Sequence, residues 1–350
     1  MPTDVVATRL ADQAAQCARL GSHLYAEILS RAAADAQAGG ITAGVLAGHA
    51  DDPPGSALAL RFLAALHRRV LLGEAPQLAR HYPSVGGRAG PRGVWPAVAV
   101  VLRERTAVIA RDVCLPCQTN EVGRCAPLLA GLLHIAAVHP ALPVRLWEIG
   151  ASAGLNLYVD RYRVGRHGPA GAPIVAERPW RGRGPATAPP VITARAGCDP
   201  EPVDPRTPGG KLTLASSVWA DQRDRSVRLR RVLDAVADWP FLVERSPASD
   251  WLRERLAVPA PQPCVTVVWH SVVWQYLSEP ERVAVSATLE RAGARATGQR
   301  PLVRLYLEPE LRDKELGFAL RARRWPGPVD EHLADAAGHG PPVRFIRPPR

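Results

Sequence analysis

Lysine is nearly absent from this chain: Lys211 and Lys314 are the only two among 44 basic residues. The net charge of +11 therefore rests on arginines, which are scattered along the sequence. Without a clustered patch or a recognised motif, this charge does not point to specific nucleic-acid binding. Arg181 and Arg183, in a Gly/Pro-rich stretch, read as solvated loop charge. No apolar run approaches the roughly 18 residues of a membrane span, and Met1 to Leu10 lacks a signal-peptide core. A cytoplasmic protein is expected, with a small-molecule substrate and no membrane partner. A second cysteine pair to match Cys114-x-x-Cys117 is missing, although Cys125 and His134 follow downstream. That falls short of the four ligands of a finger-like zinc site. No metal is expected, and the six cysteines read as reduced thiols.

At 350 residues, with 47% hydrophobic residues and a mean hydropathy of −0.08, the chain can bury a large core in one or two domains. No clear strand precedes residue 141. Apolar residues recur there at helical spacing, as in Leu10, Ala14, Cys17, Leu24 and Ile28, and again in Leu58, Phe62, Leu63, Leu66 and Val70. Helices are predicted over Val5–Ala38 with a break near Gly21, over Ser56–Leu72 and Trp95–Arg111, and from Glu121 to Val138. Beyond Pro143 strands alternate with helices. Strands are predicted at Val144–Ile149, Val191–Ala196, Phe241–Glu244, Cys264–Trp269 and Pro301–Leu307. Helices are predicted at Leu155–Arg161, Asp221–Ala237, Ser249–Leu256 and Glu279–Ala292. The apolar, β-branched run before Trp269 marks a central parallel strand. This alternation predicts an α/β fold with a Rossmann-like, doubly wound, mostly parallel sheet behind an N-terminal α-helical domain. The expected division is 1–140 for the helical cap and 141–312 for the sheet, with a loop insertion over about 163–190. A loop-rich tail, 313–350, ends in a last strand at Val343–Ile346.

One stretch carries the chemistry. Val144–Ile149 ends in Glu148, and Gly150, Ser152 and Gly154 follow at alternate positions before Leu155-Asn156-Leu157. This reads as strand, tight turn and helix, the place where open α/β sheets bind ligands. As Glu-x-Gly-x-Ser-x-Gly it resembles the glycine-rich turn of S-adenosylmethionine-dependent methyltransferases. As Gly-x-Ser-x-Gly it resembles the nucleophile elbow of serine hydrolases, with Ser152 as nucleophile. The elbow requires upstream strands, which the helical first part does not offer. The methyltransferase reading requires an acid closing the second strand. Asp199 stands there, much further on than the usual offset of about 20 residues.

Several further motifs accompany the turn: Tyr82-Pro83-Ser84-x-Gly86-Gly87, Gln118-Thr-Asn-Glu-Val-Gly-Arg124, Asp160-Arg-Tyr162, Arg195-Ala-Gly-x-Asp199 with Pro202-Val-Asp204, and Trp269-His270-Ser271. Together they resemble, over almost the whole chain, the bacterial family known as domain of unknown function 2332. The resemblance implies a methyltransferase-like Rossmann fold with a helical N-terminal part, and it supplies no reaction. On this reading S-adenosylmethionine is the expected cofactor, held by Glu148, Gly150, Ala151, Ser152, Gly154, Asn156 and Asp199. His270 and Glu121 are the candidate bases, and Tyr82, Ser84, Asn120 and Arg124 the candidate substrate contacts. Each has a plainer alternative. Glu148 and Asn156 serve equally as turn supports, Asp199 as a loop acid, His270 as a hydrogen-bonded structural histidine, and Asn120 and Glu121 as helix caps. The reaction expected is methyl transfer to a small molecule. A serine hydrolase and a non-catalytic binding or scaffold protein are the alternatives.

Overall fold

The computed structural model describes residues 2–260, 262–312 and 315–346. Seven helices come first: α1 (Pro2–Arg19), α2 (His23–Gln37), α3 (Ile41–Val45), α4 (Leu58–Leu71), α5 (Pro76–Ala79), α6 (Val94–Glu104) and α7 (Thr106–Val113). α8 (Cys125–Val138) leads into β1 (Val144–Ile149), a 3₁₀ segment (Leu155–Arg161), β2 (Arg163–Val164), β3 (Val175–Ala176) and β4 (Ile192–Asp199). Then come α9 (Pro208–Ser217), α10 (Arg223–Ala235), β5 (Val243–Arg245), α11 (Ala248–Ala257), β6 (Val265–Ser271), α12 (Glu279–Gly293) and β7 (Leu302–Arg312). β8 (Glu315–Trp325), β9 (Val329–Ala337) and β10 (Gly340–Phe345) follow. The protein is mixed α/β, with a helical N-terminal region and a large, mostly parallel sheet.

The chain divides into two compact units. One holds residues 1–119 and 205–230; the other holds 120–204 and 231–350. In the first, the periodic apolar residues of α1, α2 and α4 bury together with α6 and α7, and Trp219 and Ala220 join that core. Asp221 anchors the start of α2: its carboxylate accepts hydrogen bonds from Ser22 Oγ at 2.6 Å and from the Leu24 N–H at 3.1 Å. The excursion between β4 and β5 thus returns to the helical unit. The expected 141–312 division keeps it with the sheet, because α9 is a short Gly/Ser/Thr-rich helix with little amphipathic signal.

In the second unit the strand order is β10-β9-β8-β7-β6-β1-β4-β5. β5, β4, β1, β6 and β7 are mutually parallel, and β8 to β10 are antiparallel. Among the parallel strands the chain order is third, second, first, fourth, fifth, so its direction of travel reverses between β1 and β6. That reversal opens a crevice at their carboxyl ends. One face of the sheet, through Trp147, Ile149, Cys198 and Val268, packs on Trp251, Leu252 and Leu256 of α11 and on Val285 and Leu289 of α12. α8 packs against the other face, over β7 to β10. Its approach is close at Gly131, where an added Cβ would lie 2.4 Å from a Leu305 methyl.

Three expectations need correction. α8 belongs with the sheet rather than with a cap over residues 1–140, because it is apolar almost all round and is buried as a core helix. The predicted α-helix over Leu155–Arg161 is 3₁₀ and kinked at Tyr158. The tail is not loop-rich: β8 to β10 extend the sheet from β7. In β8 buried Leu320 and Ala322 alternate with half-exposed Arg321 and Arg323, the period of a one-sided strand. No described helix is long and apolar enough to cross a membrane.

Candidate functional site

The turn after β1 is left-handed at alternate positions: φ is +64° at Gly150, +52° at Ser152 and +70° at Gly154. For a serine this conformation costs about 1 kcal/mol, and the surroundings hold it there. The Ser152 N–H donates to Asp199 Oδ2 at 2.9 Å, and the Ser152 carbonyl accepts from the Val203 N–H at 3.1 Å. Asp199 Oδ1 accepts from the Glu201 N–H at 2.9 Å, so one carboxylate ties the ends of β1 and β4 together. Asn120 Oδ1 accepts from the Leu155 N–H at 2.8 Å, and Asn156 Nδ2 donates to the Glu121 carbonyl at 3.4 Å. The Glu121 carboxylate accepts from the Gly123 N–H at 3.0 Å. Residues 120–124 therefore close over the turn.

Glu148 faces the same side as α8, opposite Trp147 and Ile149, and lies in register with Trp269. Burial pushes its carboxyl up to about 8. Arg124 opposes that shift, Asp199 adds to it, and Trp269 and Asn156 favour the anion. Three buried polar atoms around the turn have no hydrogen-bonding partner among the described residues: Glu148 Oε2, Ser152 Oγ and Asn156 Oδ1. Arg124 clasps the neighbouring segments. Its Nη1 donates to the Ser271 carbonyl and its Nε to the Gly338 carbonyl, both at 3.0 Å.

On the opposite face, His270 is buried between aromatic rings. Tyr306 stacks at 5.3 Å and Trp274 at 5.4 Å. Arg304 Nε, which can only donate, points at His270 Nε2 at 3.1 Å. The ring proton therefore sits on Nδ1, which donates to Glu308 Oε1 at 2.7 Å. Burial, against the pull of Glu308, lowers the His270 pKa and keeps the ring neutral. Glu308 Oε1 also accepts from the N–H groups of Val273 at 3.0 Å and Trp274 at 3.3 Å. This fixes the loop after β6, where Val272 is held at φ +55°, an outlier for a β-branched residue. The Val273 side chain fills the space above Gly150, 2.5 Å from where a Cβ would stand.

The fold thus brings together Asn120, Glu121, Arg124, Glu148, Gly150, Ala151, Ser152, Gly154, Asn156 and Asp199. The sheet separates His270 from Glu148. Tyr82 and Ser84 lie in the helical unit: Tyr82 is buried against Tyr25 and His67, and Ser84 bonds His67. Cys114 and Cys117 are free thiols, the first of them exposed. An elbow serine needs a base within reach, and Ser152 Oγ meets none. Sequence reasoning passed over Arg304, Glu308, Val273 and the Gly338–Gly340 turn. Glu308 directly follows the strand predicted over Pro301–Leu307, whereas in the structure it lies inside the longer β7.

No curated protein and no solved structure matches the chain. Over residues 7–345 it matches the family described as "Uncharacterized protein conserved in bacteria (DUF2332)", and it belongs to that family.

Proposed function

We propose that the chain binds S-adenosylmethionine, or a related nucleotide, where β1 and β4 end, and methylates a small molecule on a methyltransferase-like plan. The observation that carries this reading is the set of buried, unpartnered atoms Glu148 Oε2, Ser152 Oγ and Asn156 Oδ1 around a turn of alternating left-handed residues. Buried polar atoms require partners, and a nucleotide bearing an amino-acid moiety offers hydroxyl, amine and carboxylate groups. The residues present fit such a group. Asp199 holds the turn through the Ser152 and Glu201 N–H groups at the end of β4, where a ribose would lie in such a fold. Glu148, protonated at neutral pH, both donates and accepts, and the Ser152 hydroxyl suits a carboxylate.

When bound, S-adenosylmethionine supplies an electrophilic methyl group. The chain's own part is to hold, orient and exclude water. Entry of a ligand requires Val273 to leave Gly150, and the strain held at Val272 favours withdrawal of that loop. Glu121 is the base carried forward, because His270 commits its lone pair to Arg304. His270 instead positions Glu308, and through it the loop. Asn120 and Arg124 hold the turn and the end of β6.

Titration calorimetry with S-adenosylmethionine and with its demethylated product is the test. Binding is expected, weakened about tenfold or more in Glu148→Gln, where an amide nitrogen that only donates replaces one carboxyl oxygen. A folded protein that gives no heat with either compound at millimolar concentration overturns the reading and leaves the scaffold alternative.

A further inference from the structure

The helical unit contains a second arrangement with catalytic geometry, independent of the turn after β1. His67, on α4, is fully buried. Its Nδ1 faces the Ser216 carbonyl at 3.3 Å, and a carbonyl only accepts, so Nδ1 carries the proton. Nε2 then presents its lone pair, and the Ser84 hydroxyl, 2.8 Å away, donates to it. This is the order of a hydrolytic triad, with a backbone carbonyl in place of the orienting carboxylate. Burial pushes the His67 pKa down to about 4, so the resting imidazole is neutral with its lone pair available, and forming the imidazolium costs more there than in water. Tyr82 packs against the ring at 5.4 Å and fixes its plane.

Ser84 is half-buried and opens on a groove of about 430 Å³. The far wall is one face of α10, where Arg223, Ser226, Val227 and Arg230 recur at intervals of three and four. Ser226 Oγ is buried there without a partner among the described residues, and both arginines are exposed. The N–H groups of Val85, Gly86 and Gly87 already bond the carbonyls of Tyr82 and Pro83. Charge on a reacting carbonyl oxygen therefore falls to the guanidinium groups rather than to a backbone oxyanion hole.

We propose that Ser84 is a nucleophile served by His67, in a second, hydrolytic site that takes carboxylic esters bearing an anionic group. Ser84 Oγ bonds to the ester carbonyl carbon while its proton passes to His67 Nε2. The ester C–O bond breaks, and the departing alcohol oxygen takes that proton. Water then attacks the acyl-serine, giving its proton to His67. The Oγ–C bond breaks, Ser84 Oγ recovers a proton from His67, and the carboxylic acid leaves. Arg223 and Arg230 select the anionic substrate. Without a backbone oxyanion hole the turnover is slow.

A fluorophosphonate probe, with the modified residue mapped by mass spectrometry on the wild-type protein, tests this without a variant. Labelling is expected on Ser84. It should be lost in Ser84→Ala, strongly reduced in His67→Gln and unchanged in Ser152→Ala. A nitrophenyl ester with a terminal carboxylate should be cleaved about tenfold faster than its uncharged analogue, the worth of one charge-assisted hydrogen bond. Arg223→Gln/Arg230→Gln should erase that preference and also slow probe labelling of Ser84, since the same guanidinium groups face the oxyanion charge. No label on folded wild-type protein, or a label that maps elsewhere, overturns the proposal. So does equal cleavage of the two esters. None of these readouts involves S-adenosylmethionine, so this site and the one at the end of β1 stand or fall separately.

Discussion

Glu148→Gln is expected to stabilise the protein, by about 3 kcal/mol at neutral pH. The carboxyl is held at about 8 in the folded chain against an ordinary 4.5. In the unfolded chain it ionises freely in water; in the folded chain it keeps its proton. Because the folded pKa is the higher one, this group's contribution is fully present below about pH 4.5 and is lost as pH rises toward 8. Between 4.5 and 7 the loss accumulates at about 1.4 kcal/mol per unit. Glutamine matches the shape, cannot ionise and escapes the loss. The two proteins should therefore unfold at similar urea concentrations near the ordinary carboxyl pKa. They should diverge steadily above it and stop diverging above about pH 8. A variant less stable at every pH would mean that Glu148 is ionised in the fold and paired with Arg124.

A penalty of that size fits a functional site, since costly local features concentrate where activity needs them. The same substitution is expected to weaken binding of S-adenosylmethionine. Gain of stability together with loss of binding is the combination that separates a ligand-holding acid from a turn support.

The turn itself was legible because small residues at 150, 152 and 154 leave few backbone paths, and because an apolar run closed by Glu148 marks a strand end. The β-branched run to Trp269 was legible for the same reason. What stayed hidden depends on distance along the chain. Asp199 was singled out for a ligand's hydroxyls; its bonds to Ser152 and Glu201 follow from the register of β4 on β1, which no local pattern encodes. His270 suggested a base by type and position, whereas its role follows from Arg304 and Glu308 two strand positions either side of its register partner, Tyr306. Ser84 was assigned to the pocket of the sheet by its loop character. Its actual neighbour, His67, is oriented by a carbonyl 149 residues further on, at Ser216. β8 and β9 were missed because Ala319, Ala322 and Ala334 hold several of their buried positions, and alanine carries little strand signal.

Gly340→Ala is expected to destabilise the protein by about 3 kcal/mol, through two effects that a control can separate. Gly340 has φ +106°, and an added Cβ would lie 2.0 Å from the Gly123 carbonyl oxygen. Gly123 in turn sits where a Cβ would meet the His339 carbonyl at 2.3 Å. Two backbones cross there with no room for a side chain, and the clash is with main chain, which cannot rotate aside. Backbone strain at positive φ contributes about 1 kcal/mol, and forced displacement of packed main chain about 2 more. Gly327 has φ +65° with nothing within 4 Å of its missing Cβ, so Gly327→Ala should show the strain alone. Urea midpoints of the two variants give the difference. The crossing also sets Arg124, whose guanidinium bridges the Gly338 and Ser271 carbonyls beside the turn. In Gly340→Ala, hydrogen exchange at the Ser152 and Leu155 amides should therefore quicken, while in Gly327→Ala it should not. Equal costs for the two variants, with unchanged exchange at those amides, would mean that the crossing contributes nothing to holding the turn.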